Sequence, residues 1–219
     1  MSEKIVVVVA GGEAPRAEAA LRVPIGAQVI AADGGLDHAR ALGLDVSVAV
    51  GDFDSASPDA VAAAESEGTR VVRHPADKDA TDLELALDLA ASSGAERILV
   101  LAGGGGRLDH LLSALLLLGH ERYASAQVDA LVGPARVHVV RGTRTLAGEP
   151  GELVSLLALH GPAAGIRTEG LAYALHGETL GAGSSRGVSN VLTAPTATVT
   201  VEHGTLVAVF PGADGGEPE

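Results

Sequence analysis

Val46-Ser47-Val48-Ala49-Val50-Gly51-Asp52-Phe53-Asp54-Ser55 holds the organisation of the amino-terminal half in one stretch. The valine-rich run at 46–50 reads as a short buried strand, and a glycine and two aspartates follow it at once. Ser57-Pro58 then opens an alanine-rich helical pattern, with Ser57 as N-cap and Pro58 at the first helical position. Working outward, the same alternation continues on both sides. Strands are predicted at 4–10, 27–32, 46–50, 69–73, 96–102 and 126–132, with helical stretches at 13–21, 36–43, 57–67, 81–93 and 108–119. Such alternation implies a mostly parallel sheet flanked by helices on both faces. Beyond Gly133 the pattern changes. Strand-like runs at 137–141, 153–160, 197–203 and 205–211 are separated by turns rich in Gly, Pro and Thr, with no helix among them. The expectation is an α/β domain over 1–133 and an all-β, sandwich-like domain over 134–219, with 214–219 frayed.

Composition removes several function classes. The chain has 219 residues, 47% of them hydrophobic. Its longest apolar run, at 111–118, is broken by Ser113, whereas a membrane-spanning helix needs about 20 residues. The apolar run at 5–10 follows Met1-Ser2-Glu3-Lys4 and meets Gly11-Gly12 without a cleavage site, so it reads as a strand and not a signal peptide. With no cysteine there can be no disulfide, iron–sulfur cluster or thiolate zinc site, which suits a cytoplasmic protein. A net charge of −13 repels phosphate backbones, and Phe53, Tyr123, Tyr173 and Phe210 are too few to stack on bases. No nucleic-acid partner is expected. A nucleotide can still bind where a metal ion screens the charge.

Four acidic or glycine-rich clusters each follow a predicted strand. They are Asp33-Gly34-Gly35, then Gly51-Asp52-Phe53-Asp54-Ser55, then Asp77-Lys78-Asp79-Ala80-Thr81-Asp82, and Gly103-Gly104-Gly105-Gly106-Arg107-Leu108-Asp109-His110. In an open parallel sheet such loops share the carboxyl edge, where ligands bind. That placement directs Asp33, Asp52, Asp54, Asp79, Asp82 and Asp109 toward one site. So many carboxylates stay ionised together only when something positive joins them. Magnesium fits, since it takes oxygen donors and keeps places for substrate phosphates and water. Structural explanations compete at each cluster. Asp33-Gly34-Gly35 also suits a turn, and Thr81-Asp82-Leu83-Glu84 also satisfies a capping box. The glycine run matches neither common phosphate-loop pattern. The eight histidines show no zinc-binding spacing. Gly183-Ser184-Ser185-Arg186-Gly187 fits the hydrolase elbow in letters only, because that motif needs a strand–turn–helix and this region is β-rich.

In order and spacing, Asp33-Gly34-Gly35, Gly51-Asp52-Phe53-Asp54-Ser55, Lys78-Asp79-Ala80-Thr81-Asp82, Gly106-Arg107-Leu108-Asp109-His110 and Ser189-Asn190 resemble the motifs of thiamine pyrophosphokinases. The resemblance implies an α/β domain plus a β-sandwich, a homodimer with sites shared between subunits, and a reaction in which thiamine and ATP give thiamine diphosphate and AMP. It implies that Asp52, Asp54 and Asp82 hold Mg2+, with Asp33 beside the metal and phosphates. Lys78, Asp79, Thr81, Gly105, Gly106 and Arg107 would serve ATP, and Asp109 the reacting phosphates. Tyr173, Ser185, Ser189 and Asn190 would serve thiamine. Animal members carry a tryptophan in a Gly-Leu-x-Trp-x-Leu stretch, which is here Gly170-Leu171-Ala172-Tyr173-Ala174-Leu175, so Tyr173 offers a smaller face to the cationic substrate. Two rival readings stay open at this level. One is diphosphate transfer to another alcohol, such as a hydroxymethylpterin. The other is a non-catalytic thiamine or nucleotide sensor.

Overall fold

Val6, Val7, Val8 and Val9 have no solvent exposure at all, because β1 (Ile5–Val9) is covered on both faces of its sheet. The computed structural model describes residues 3–212 and resolves them into two compact units. One comprises the chain up to Leu117 together with Ser125–Gly133; the other comprises Leu118–Ala124 and the chain from Pro134 onward. The expected fraying of 214–219 lies outside the described residues.

The first unit is built on β1, β2 (Gln28–Ala32), β3 (Val46–Gly51), β4 (Arg70–Arg73), β5 (Arg97–Ala102) and β6 (Gln127–Val132). All pairings are parallel, in the order β6-β5-β1-β2-β3-β4. Four helices connect the strands: α1 (Gly35–Ala41), α2 (Pro58–Ser66), α3 (Asp82–Ser92) and α4 (Leu108–Leu118). Two apolar clusters form the core, one around Val7, Val9, Val29 and Leu101, the other around Ala31, Leu36, Ala49 and Val61. The α/β architecture of the sequence reading is the one observed. The helix expected at 13–21 is not: only a 3-10 turn, Ala17–Arg22, forms there. Pro15 and Pro24 bracket the segment, and the residues between them are too few to nucleate a stable helix.

The second unit is antiparallel, with a 3-10 turn at Glu121–Tyr123 and strands β7 (Ala135–Ala147), β8 (Leu153–Glu169), β9 (His176–Leu180), β10 (Asn190–Val191) and β11 (Thr196–Phe210). The two runs predicted at 197–203 and 205–211 are one strand. β11 shifts register around Gly204, whose φ of +89° lets the chain bend without breaking the ladder. Both arms of the bent strands turn residues into one core, which contains Val140 and Leu146, Leu156 and Ile166, Val199 and Phe210. Among the described residues no helix is long and apolar enough to cross a membrane.

Candidate active site

The sheet of the first unit ends at a rim where Asp33 follows β2, Asp52 follows β3, and Asp82 opens α3. One carboxylate oxygen from each lies within 4.8 Å of the others. Three local features produce this convergence. Asp33 sits in the left-handed region at φ +47°, which aspartate tolerates better than most residues, and its N–H donates to the Val50 carbonyl at 2.8 Å. Gly51 keeps the interior of the cluster open: a Cβ there would meet Asp82 Oδ1 at 3.0 Å and Asp33 Cβ at 3.1 Å. Thr81 caps α3 by accepting from the Glu84 N–H at 3.2 Å, which fixes Asp82 in the first turn.

Lys78 stands among these acids. Its Nζ donates to Asp52 Oδ2 at 3.0 Å and lies 3.0 Å from Asp82 Oδ1 as an ion pair. Asp82 Oδ1 is buried, and this ion pair is its contact with Lys78. Asp33 Oδ1 is likewise buried and has no hydrogen-bond partner, on a residue 8% exposed. Burial raises the Asp33 carboxyl above its usual value against hydrogen bonds from Gly34 and Ser55, and the charges of Asp82 and Asp54 push it the same way. Asp52 moves down, chiefly through the hydrogen bond from Lys78. Burial pulls Lys78 down, but its two carboxylate partners outweigh that and leave it raised. A buried oxygen without a hydrogen bond, the space Gly51 leaves by lacking a Cβ, and an all-oxygen carboxylate set suit a hard divalent cation, although Lys78 already pairs with two of the acids.

The remaining rim residues are distributed differently. Asp54 is exposed, accepts from Ser55 Oγ at 2.9 Å, and lies outside the three-carboxylate group, although its charge reaches Asp33. Asp79 is exposed. Arg107 and Asp109 are exposed and bind each other in a fork, Nη2 to Oδ2 at 2.7 Å and Nε to Oδ1 at 3.2 Å; the Arg107 hydrogen bond lowers the Asp109 carboxyl. Within the glycine run, Gly103 and Gly105 lie against Glu13, whose backbone and carboxylate occupy the space a Cβ would need. The Gly103 N–H donates to the Glu13 carbonyl at 3.1 Å. Those two glycines are required by the loop after β1, and Gly106 stands in open space. Glu13 escaped the sequence reading. It belongs to the β1 loop beside β5, where the strand order reverses, and the rule that ligands bind at that reversal would have drawn attention to it.

In the second unit Tyr173 stands exposed at the apex of 170–175. Asn190 is buried, and its side chain bonds the Tyr173 backbone. Ser189 has φ +59°, and its N–H donates to Ser155 Oγ at 3.1 Å. Ser185 is exposed in the 181–189 loop, where Gly187 packs against the Leu156 carbonyl. No strand–turn–helix surrounds Ser185, which disposes of the hydrolase elbow.

Comparison with known proteins matches this architecture in both parts. Residues 26–129 match the family model described as thiamin pyrophosphokinase, catalytic domain, and residues 138–206 match thiamin pyrophosphokinase, vitamin B1 binding domain. No curated protein matches the chain. Among solved structures, a thiamin pyrophosphokinase from Geobacillus thermodenitrificans is 28% identical, with a TM-score of 0.79 over 96% of this chain and 98% of that one. A thiamine pyrophosphokinase from Bacillus subtilis is 23% identical, with a TM-score of 0.83 over 96% of this chain and all of the other. One from Candida albicans shares the fold at 16% identity, with a TM-score of 0.70 over 94% and 88% of the two chains. The class is therefore that of a transferase with diphosphotransferase activity, built from a catalytic α/β unit and a β unit. The chain belongs to the thiamine pyrophosphokinase family, and its function is that of the family.

Proposed function

We propose that the chain carries the diphosphate of ATP to the hydroxyl of thiamine in a magnesium-dependent reaction, with Asp33, Asp52 and Asp82 as the metal's protein ligands and Asp54 adjoining them. The observation that supports this most directly is the meeting of the three carboxylates within 4.8 Å around a buried, unpartnered Asp33 oxygen. Bound there, the ion would withdraw charge from the phosphate oxygens of ATP. The thiamine oxygen forms a bond to the β-phosphorus as the bond to the bridging oxygen breaks, and AMP departs. Positioning and charge neutralisation account for most catalysis of this kind. Lys78 supplies a cation at the rim, and Arg107 lies exposed beyond the glycine run for the nucleotide. The proton of the thiamine hydroxyl passes to an aspartate of the rim, Asp33 or Asp109. Tyr173 offers its ring to the cationic thiazolium.

A homodimer completes the reading. Leu108, Leu112 and Leu116 form an exposed apolar stripe at four-residue spacing on α4, which a second copy of the chain would cover. The test is incubation with Mg·ATP and thiamine, followed by separation of the nucleotides. AMP appearing in step with thiamine diphosphate is expected. ADP in place of AMP would refute the transfer, and turnover only with a pterin alcohol would move the substrate. Sedimentation over a range of protein concentrations tests the dimer.

A further inference from the structure

Tyr173 is 71% exposed, whereas Tyr123 and Phe210 are wholly buried. An aromatic ring left in water at the tip of a loop calls for an explanation in how its backbone is held. Leu171 and Leu175 are buried and anchor the loop to the β core, while Ala172, Tyr173 and Ala174 face outward between them. Main-chain bonds tie the first arm to the 190–193 segment: the Ala172 N–H donates to the Val191 carbonyl and the Thr193 N–H to the Gly170 carbonyl, both at 2.9 Å. At the apex the main chain has no strand partner, and a side chain takes over. The Tyr173 N–H donates to Asn190 Oδ1 at 3.0 Å, and Asn190 Nδ2 donates to the Tyr173 carbonyl at 2.8 Å. The same Oδ1 accepts from the Val191 N–H at 2.9 Å.

The amide is thus used almost completely. Both acceptor positions of Oδ1 are filled, one Nδ2 hydrogen is donated, and a single N–H remains on a residue 5% exposed. A second clamp holds the far arm, where the Leu175 N–H donates to Thr168 Oγ1 at 2.8 Å, on a threonine also buried. We infer that Asn190 is a positioning residue: its side chain serves thiamine by fixing the Tyr173 backbone so that the ring is presented ready-made, with Thr168 supporting it from the other side. The inference rests on the reading of Tyr173 as the aromatic face for thiamine. Its physical content is preorganisation, since a ring on a clamped backbone loses only side-chain rotations when a ligand stacks on it.

The experiment is a double-mutant cycle on the full-length enzyme, reading KM for thiamine, KM for ATP and kcat, with thiamine binding followed by tyrosine emission. The chain has no tryptophan, so the emission component missing from Tyr173→Phe reports that ring directly. Tyr173→Ala and Asn190→Ala should each raise KM for thiamine about tenfold and leave KM for ATP in place. The double variant should be no worse than Tyr173→Ala, and thiamine should quench the Tyr173 component less in Asn190→Ala. Effects that multiply would overturn the inference and make Asn190 a direct contact, leaving the Tyr173 reading intact. An unchanged KM in Tyr173→Ala would sink the Tyr173 reading itself, and the inference with it. Should Asn190→Ala fail to fold, Thr168→Val removes the other clamp without changing side-chain shape, and the same non-additivity with Tyr173→Ala is required of it.

Discussion

Replacing Lys78 by methionine should make the stability of this protein depend on divalent metal. Lys78 Nζ lies 3.0 Å from both Asp52 and Asp82, and the three side chains are 13%, 15% and 24% exposed. At an effective dielectric near 20, each contact represents roughly 5 kcal/mol of attraction before desolvation is counted. The net value is far smaller. Breaking a buried pair costs about 3–5 kcal/mol and an exposed one about 1 or less, so this half-shielded pair falls near 2 kcal/mol. Proton uptake by the abandoned carboxylates also limits the loss. For a chain of this length about 2 kcal/mol lowers Tm by roughly 4–8 °C. The assay is thermal unfolding of Lys78→Met and the parent in chelator at neutral pH, then in millimolar magnesium. The deficit should shrink with magnesium, because a cation then joins Asp52 and Asp82 in place of Lys78. It should also shrink with acid. Asp52 is held below its usual value, so its stabilising contribution is present above the ordinary carboxylate range and disappears as the pH falls through its lowered value. Lys78 is raised, so its share is lost on the alkaline side, as the pH climbs through its folded value. Equal Tm values for variant and parent in chelator, or a deficit that magnesium leaves untouched, would refute the reasoning.

Asp52→Asn and Asp82→Asn should each lower AMP release by orders of magnitude while circular dichroism stays that of the parent; near-normal turnover in either removes that residue from the metal's ligands. Asp33→Asn should raise Tm in chelator at neutral pH, since burial makes the ionised Asp33 a liability above its raised value, and the gain should vanish as the pH falls below the ordinary carboxylate range. With magnesium present the order should reverse, because the variant has lost a donor. Gly187→Ala should cost about 1–3 kcal/mol, read as a lowered Tm, because a Cβ there would meet the Leu156 carbonyl oxygen at 2.0 Å.

Much of the fold was legible because parallel strands buried on both faces read as plain apolar runs. Val6 to Val9 and Val48 to Val50 need no partner to be recognised. The second unit was harder. Its long strands bend at Gly142 and Gly204, and a glycine inside a strand looks in sequence like the turn between two strands. The rim was legible as a set of loops but not as a set of directions. Asp52 and Asp54 are two residues apart, yet Phe53 between them takes φ +59° and turns the chain, so their side chains part company. Asp33 is instead the third member of the close group, because its own left-handed backbone and its bond to Val50 bring it across from β2. Glu13 was invisible for another reason: what gives Gly103 and Gly105 their meaning is a contact between segments some ninety residues apart in sequence.

The acidic rim is costly in the place where the fold can best bear it. Two carboxylates within 4.8 Å repel by about 3 kcal/mol at the same effective dielectric, and three cannot relax apart while Gly51, the Asp33 turn and the Thr81 cap hold their backbones. Packing does not ask for this arrangement. The buried valines of β1 and the two apolar clusters stabilise the first unit without it. What the arrangement provides is a field already assembled before any ligand arrives, in which Lys78 offsets part of the repulsion and the proposed cation would relieve the rest. The same logic governs the β unit at Tyr173, where hydrogen bonds have fixed a backbone that a ligand would otherwise have to order. In both units the chain accepts a locally unfavourable feature, a clustered charge in one and an exposed ring in the other. Each is held by neighbours whose own bonding is nearly complete, and each therefore points to a ligand as the missing partner.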